Sequence, residues 1–368
     1  MVEPELLSPR RMAWRRFRQH RLAVLGGAIL IALYGVALFC EFISPYTPDQ
    51  RNAKAINAPP MNIRVFDSEG RFHLRPFVHG LELTINDDTW QREYSEDKNI
   101  RYPLHFFTEA EPYELWGIIP ARLRLFQVEP GSQGYVHWLG TDSLGRDMLS
   151  RILYGARVSL SIGLIGVGLT LFIGVLLGGF AGYLGGRVDS LVQRSIEILQ
   201  SIPTLPLWMA LSAALPVAWS PIATYFGVTI ILSFFGWTTL ARQVRGRFLS
   251  MREEDFVVAA RLMGASDTRI VFYHMLPSFS SHIITTATLA VPAMILGETA
   301  LSFLGIGLRA PVVSWGVLLQ QAQNYQVIVM TPWLLWPGAF IVVAVIAFNL
   351  LGDGLRDAAD PYNHQGER

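Results

Sequence analysis

VSLSIGLIGVGLTLFIGVLLGGFAGYLGG, residues 158–186, runs for 29 positions without a charged side chain. A helix rises about 1.5 Å per residue and the hydrocarbon core of a bilayer is about 30 Å thick, so roughly 20 apolar residues suffice to cross it. The stretch is therefore read as a membrane span, and others like it follow. Leu22–Cys40 carries no charge over 19 residues, Ile198–Ala241 none over 44, Ile270–Gly297 none over 28 and Ala310–Gly352 none over 43. The 44-residue stretch is long enough for two spans, divided where PVAWSP (216–221) breaks a helix. Six helices are expected, at about 22–44, 158–185, 190–215, 222–241, 279–304 and 333–352.

Composition agrees with a membrane protein. Of 368 residues 51% are hydrophobic and only 16% charged, against about 25% charged in a soluble domain. The net charge of +1 gives no electrostatic reason to expect nucleic acid. The single cysteine, Cys40, excludes an intrachain disulfide and a cysteine metal cluster. The 30 basic residues are 28 Arg and two Lys, Lys54 and Lys98, and neither lysine follows a glycine-rich loop. A G-x-x-x-x-G-K-[ST] phosphate loop is thereby excluded, and any ATP must be bound by another protein. The first apolar stretch exceeds a signal-peptide core of about 7–15 residues and lacks an A-x-A site, so it is read as an uncleaved anchor.

Arginine placement sets the expected orientation. Arg10, Arg11, Arg15, Arg16, Arg18 and Arg21 put the N-terminus in the cytoplasm. Alternation then places Arg187 and Arg194 inside, together with the Arg-rich loop 242–278, and returns the C-terminus to the same side. Residues 41–157 hold 13 Arg/Lys against 16 Asp/Glu, a net of −3 that suits an outer loop. The resulting plan is a cytoplasmic N-terminus and first helix (1–44), an extracytoplasmic insertion (45–140), a five-helix core (141–352) containing the loop 242–278, and a cytoplasmic tail (353–368). The insertion has alternating stretches such as RVF and HFF and is expected to be a small β-rich or mixed cap.

The inner loop reads ARQVRGRFLSMREEDFVVAARLMGASDTRIVFYHMLPSF, Ala241–Phe279. Glu253, Glu254 and Asp255 stand where acids favour a helix start, and Val257–Met263 offer an apolar, small-residue surface. Gly264 can end that helix left-handed, Ala265-Ser266-Asp267 can cap a second, and Leu276-Pro277 is expected to close it. From spacing alone, a partner-docking device and an amphipathic helix lying on lipid headgroups both fit.

Ala259-Ala260, Gly264 four residues later and Leu276-Pro277 twelve further resemble the EAA loop of ABC importer permeases. The family's glutamate position is Val258 here and its isoleucine position is His274; VVAARLMGASDTRIVFYHMLP is similar to the variant in dipeptide and oligopeptide permeases. HWLGTDSLGRDMLSRILYGARVSL (137–160), GETALSFLGIGL (297–308) followed by SWG (314–316), LGDGLRDAADP (351–361) and the N-terminal WRRFRQHRLAVLGGAILIALYGVALFCEFISPY resemble the same subfamily. The resemblance covers about 10–45 and 137–362; most relatives have a much shorter loop where the middle of the insertion stands.

What the resemblance implies is an all-α polytopic permease of the type I ABC importer kind, with six transmembrane helices and the insertion between helices 1 and 2. It would not be an enzyme. It would pair with a homologous second permease, two ATPase subunits that bind ATP and Mg, and an extracytoplasmic solute-binding protein, in contact with membrane lipid and without nucleic acid. Glu254, Asp255, Ala259, Ala260, Gly264, Ala265, Leu276 and Pro277 would form the ATPase-coupling loop. Gly140, Asp142, Gly145, Arg146 and Asp147 would be either architectural or a contact for the delivery protein. Thr141-Asp142 suits a helix cap, and Arg146, Arg151 and Arg157 suit the polar edge of an interfacial helix. Glu298 and Trp315 are candidates for a gate or a structural lock, since charge at the border of a span is costly. His274 and His282 lie on different helical faces without companions, which disfavours a metal site. The resemblance implies peptides as cargo, with oligosaccharides an alternative; an ion-coupled carrier and a ligand sensor are the rival classes.

Overall fold

The computed structural model describes residues 9–359 other than 68, 89, 91, 130, 131 and 133. Of the expected C-terminal tail, 360–368 lie outside the described residues. Helices α1 (Pro9–Gln19), α2 (Arg21–Leu38) and the single turn α3 (Cys40–Ile43) lead into four strands: β1 (Arg64–Phe66), β2 (Phe72–Ile85), β3 (Arg92–Leu115) and β4 (Ile119–Val128). Then come α4 (Met148–Leu184), α5 (Gly186–Ser201), α6 (Thr204–Ala213), α7 (Pro221–Met251), α8 (Asp255–Leu262), α9 (Asp267–Arg269), a π-helical stretch (Ile270–Met275) and α10 (Leu276–Phe303). Short helices α11 (Trp315–Gln320) and α12 (Tyr325–Met330) and a 3-10 turn (Pro332–Leu335) precede α13 (Trp336–Ala359).

Among the described residues five helical segments are long and apolar enough to cross a membrane: Arg21–Leu38, Met148–Leu184, Pro221–Met251, Asp267–Phe303 and Pro332–Ala358. Over the third expected span, 190–215, the chain instead forms α5 and α6 in series. Pro203 cannot donate a helical hydrogen bond, and Ile202 before it is extended (ψ 130°), which divides the run. α7 starts on Ser220, whose Oγ accepts from Ala223 N–H at 3.2 Å, with Pro221 in the first turn. α4 begins ten residues before its charge-free stretch and α7 ends ten residues after its own, because lipid ends a run of apolar residues but not a helix.

The chain forms two compact units. One gathers the described residues of Ala32–Leu160 and Arg309–Phe340; the other contains the described residues up to Ile31, Ser161–Leu308 and those from Ile341 onward. In the first unit the insertion is an antiparallel sheet of order β1-β2-β3-β4. The long β3 serves two partners: Arg92–Pro103 pair with β2, and Leu104–Leu115 pair with β4. Its core joins Val78, Leu104, Phe126 and Val128 to Cys40 of α3 and to Leu149 and Leu153 of α4. The insertion is thus packed on helix ends and carries its own small apolar core.

In the second unit, α4 and α7 approach along a glycine stripe. A Cβ on Gly174 would meet Leu240 at 2.9 Å, one on Gly178 would strike the backbone of Ala241, and one on Gly182 would lie 2.6 Å from the Arg245 carbonyl. The four-residue spacing puts these glycines on one face, where they allow backbone-to-backbone packing.

Candidate functional site

The loop between α7 and α10 is built as a rigid elbow. α8 has Glu254 at its N-cap in extended conformation (ψ 145°) and Asp255 in its first turn. Its last turn closes on Gly264 at φ 81°, with Gly264 N–H donating to the Arg261 carbonyl at 3.0 Å and Ala265 N–H to the Ala260 carbonyl at 3.1 Å. This pair of bonds is the Schellman arrangement, which needs a left-handed residue at Gly264. Val257 and Ala260 face inward onto Leu240, Val244, Phe248, Met251, Ile270, Val271 and Met275, with Ala265 and Leu276 packed at the edge. The other face is apolar yet exposed: Val258, Ala259, Leu262 at 84% and Met263 at 80%.

α4 holds this elbow from below. Tyr183, near its end, donates its hydroxyl to Asp267 Oδ1 at 3.1 Å, and the Arg261 guanidinium sits 5.4 Å over the same ring. Arg245 of α7 pairs with Asp189 of α5, Nη2 to Oδ2 at 2.6 Å. α8 and the segment after it are thus in contact with the ends of α4 and α7.

Leu276-Pro277 does not close a helix as expected. The chain is helical from Asp267 through Phe303, with Pro277 in the first turn of α10. The preceding π-helical register, with Leu276 N–H donating to the Val271 carbonyl, accommodates a residue that has no N–H. Ala260 is 1% exposed, so it packs inward, whereas Ala259 and Pro277 face outward.

Beside the elbow, α7, α10 and α13 border an open cleft of about 850 Å³. Arg247, Ser281, His282, Thr286 and Arg356 are among its lining residues, and the His282 ring stacks on Phe279 at 4.7 Å. Farther along α10, Glu298 is fully buried and accepts from the Ser302 hydroxyl at 2.8 Å. Ser302 Oγ in turn accepts from Leu308 N–H at 3.0 Å, and the turn between passes through Gly305 at φ 76°. Glu298 thus stands at the root of the turn that ends α10.

In the first unit the residues 140–151 are locked together. Asp142 is fully buried, accepts from the backbone N–H of Leu144 (2.9 Å) and Arg146 (3.0 Å), and pairs with Arg146 Nε at 2.8 Å and with Arg151. Burial alone would raise the Asp142 pKa, but the Arg151 charge and the Arg146 hydrogen bond outweigh it and hold the carboxyl below its ordinary value. The cap of α4 is Asp147, not Thr141-Asp142: Asp147 Oδ2 accepts from both N–H and Oγ of Ser150 at 2.7 Å, while Oδ1 lies 3.0 Å from His137 Nδ1. Thr141 Oγ1 instead accepts from Ala58 N–H at 2.8 Å.

Gly140 (φ 77°) and Gly145 (φ 71°) have no room for a side chain. A Cβ would meet Trp333 at 2.7 Å at the first and the Asn52 carbonyl at the second. Arg151 and Arg157 do not form one solvated edge: Arg151 is 2% exposed, and Arg157, half-buried, donates to Glu41 Oε1 at 2.5 Å and Oε2 at 2.6 Å. Trp315 is fully buried, its indole donating to the Ile152 carbonyl at 3.1 Å and its backbone N–H to Ser159 Oγ at 3.1 Å. Among the described residues no three His, Cys, Asp or Glu side chains converge as a metal site.

Comparison with known proteins matches residues 174–363 to the binding-protein-dependent transport system inner membrane component. Residues 8–60 match the N-terminal TM domain of oligopeptide transport permease C. The chain is 32% identical over 362 residues to the dipeptide transport system permease protein DppC of Bacillus subtilis, covering 98% of this chain and 88% of that protein. It is 39% identical over 226 residues to the oligopeptide transport system permease protein OppC of the same organism, 61% of this chain and 72% of that one. The OppC of Haemophilus influenzae is 38% identical over 243 residues, 64% of this chain and 74% of the relative.

Proposed function

The chain belongs to the family of binding-protein-dependent transport system inner membrane components, a multi-pass permease subunit and not an enzyme, and from that premise we propose that it carries peptides across the membrane in response to an ATPase docked on α8. The observation that carries this reading is the outward face of α8. Leu262 and Met263 are 84% and 80% exposed on a helix fixed by a glycine cap and by Tyr183, Arg261 and Asp267. An exposed apolar face on a rigid, charged-rimmed helix suits a cleft on a soluble partner.

In this reading two ATPase subunits bind ATP and Mg, one of them docking on the loop 242–278, and a homologous permease completes the pathway. The solute-binding protein delivers cargo from the outside. The arginine distribution supports cytoplasmic N- and C-termini and an extracytoplasmic insertion. Closure of the ATPases pushes α8, and the push passes through Tyr183 and the shared core to α4, α7 and α10, a bistable set of packed helices. The hydroxyl- and arginine-lined cleft beside α8 supports a cytoplasmic exit for a polar, charged cargo. Asp142, Arg146 and Asp147 act as an internal brace, since the two carboxylates and the Arg146 guanidinium are paired within the chain.

The deciding experiment replaces Leu262 and Met263 together by Glu in the complex reconstituted in nanodiscs. Both side chains are exposed, so the permease should fold and keep its melting temperature. ATPase binding, substrate-stimulated hydrolysis and peptide uptake should all fall. Unchanged uptake with the double variant would remove α8 as the docking element. Uptake driven by an ion gradient without any ATPase would overturn the class.

A further inference from the structure

The hairpin joining β3 to β4 ends in a strained aromatic turn. Ile118 N–H donates to the Leu115 carbonyl at 3.1 Å, and the two residues between, Trp116 and Gly117, have φ of 57° and 69°. Positive φ is ordinary for glycine but an outlier for a side chain as bulky as tryptophan. Trp116 is held there from two directions: its backbone N–H donates to Glu41 Oε1 at 3.2 Å and its indole N–H to the Leu38 carbonyl at 2.7 Å. Its ring lies 6.2 Å from that of Phe39. Phe107 is likewise left-handed (φ 51°) and lies 6.2 Å from Phe42.

These contacts fix the height of the hairpin tip. Leu38 is the last residue of the first apolar span. Arg157 is the last charge before the charge-free stretch 158–186, and its guanidinium donates to the Ala37 and Leu38 carbonyls at 3.0 Å. Two membrane helices thus leave the apolar region at one level, and the hairpin tip is hydrogen-bonded to that level. Around it, Ile118 is 78% exposed, Phe107 64%, Ile119 48%, and Trp116 and Phe39 43% each. So much exposed aromatic and aliphatic surface is unfavourable in water, while aromatic rings are at home at the headgroup boundary.

We infer that this hairpin tip is a lipid anchor. Trp116, Ile118 and Ile119, flanked by Phe107 and Phe39, bury in the membrane interface and tether the insertion to the bilayer at a third place besides its covalent links to α2 and α4. The occupant is the lipid interface, because the patch continues the outer surface of the first span.

The test places a nitroxide on Ile118→Cys in the assembled complex in phosphatidylethanolamine and phosphatidylglycerol nanodiscs, with Leu74→Cys, 89% exposed on β2, as reference. Cys40 is fully buried and stays unlabelled. Collision of the label with oxygen relative to a water-soluble nickel chelate should be higher at residue 118 than at residue 74. An equal or lower ratio at 118 overturns the proposal, because the tip then stands in water. A label at 118 shielded from both reagents also overturns it, because a protein partner then covers the tip.

Discussion

Replacing Gly264 by residues of graded left-handed tolerance separates backbone geometry from side-chain size. The residue sits at φ 81° and ends α8 through two backbone hydrogen bonds, yet a Cβ built there meets nothing within 4 Å. A substitution therefore collides with nothing in this chain, and its cost is conformational. A left-handed L-residue costs about 1–2 kcal/mol. If docking requires the capped elbow, that cost appears in full as weaker association, about 5- to 30-fold in Kd at about 1.4 kcal/mol per factor of ten.

The assay is a titration of purified ATPase subunits onto the permease pair in nanodiscs, read by fluorescence anisotropy. Gly264→Ala should weaken binding within that range. Gly264→Val should be worse, since β-branched residues are the least tolerant of positive φ. Gly264→Asn should retain most of the affinity despite being larger than alanine, because Asn visits the left-handed region readily. Losses ranked by side-chain volume, with Asn worse than Ala, would refute the reasoning and indicate that the partner packs against residue 264 itself. Equal affinity for all four would show that the cap does not govern docking.

Gly182→Leu should force α4 and α7 apart at the Arg245 carbonyl, costing about 1–3 kcal/mol and lowering the melting temperature in detergent. Asp142→Asn leaves the buried Arg151 uncompensated, a loss of about 3–5 kcal/mol, seen as a large drop in melting temperature. Because the folded pKa of Asp142 lies below its ordinary 3.8, its contribution is present above that value and lost as pH falls through the folded pKa. The wild-type melting temperature should therefore decline in the acid range below about pH 4, with a shallower decline in the Asn variant. Ser281→Trp, an exposed position in the cleft beside α8, should reduce peptide uptake while leaving ATPase binding unchanged, as measured on one reconstituted sample.

The charge-free runs made the membrane segments legible because lipid forbids charge wherever it reaches. They could not show where helices stop, since α4 continues past Arg157 and Arg151 with those charges neutralised by Glu41 and Asp142. Glu41 stands 116 residues from Arg157 and Asp142 nine residues before Arg151, ahead of the helix, and periodicity carries no sign of either pairing. The region of the third expected span departs in a different way, as two helices in series. Apolar composition is continuous through Ile202-Pro203, but one missing donor was enough to divide the helix. Leu276-Pro277 shows the opposite outcome: the same chemistry was absorbed by a widened turn, and the helix went on. A proline therefore marks a place where backbone hydrogen bonding must change, and the neighbouring packing decides how.

At the elbow, the motif resemblance places Ala259 and Ala260 together in the coupling loop, yet successive helical residues are about 100° apart. Ala260 falls with Val257 on the inward row, while Ala259 falls with Val258, Leu262 and Met263 on the outward one. The outward row was readable from that period alone once the inward row was known, and it is more hydrophobic than a solvated helix tolerates. What no local pattern could supply is the restraint beneath it, since Tyr183 reaches Asp267 across 84 residues of sequence. That restraint gives the exposed row its mechanical meaning. In the proposed coupling, an apolar face on a loose loop would bind the ATPase and absorb its motion, whereas one tied to the end of α4 would pass the motion on.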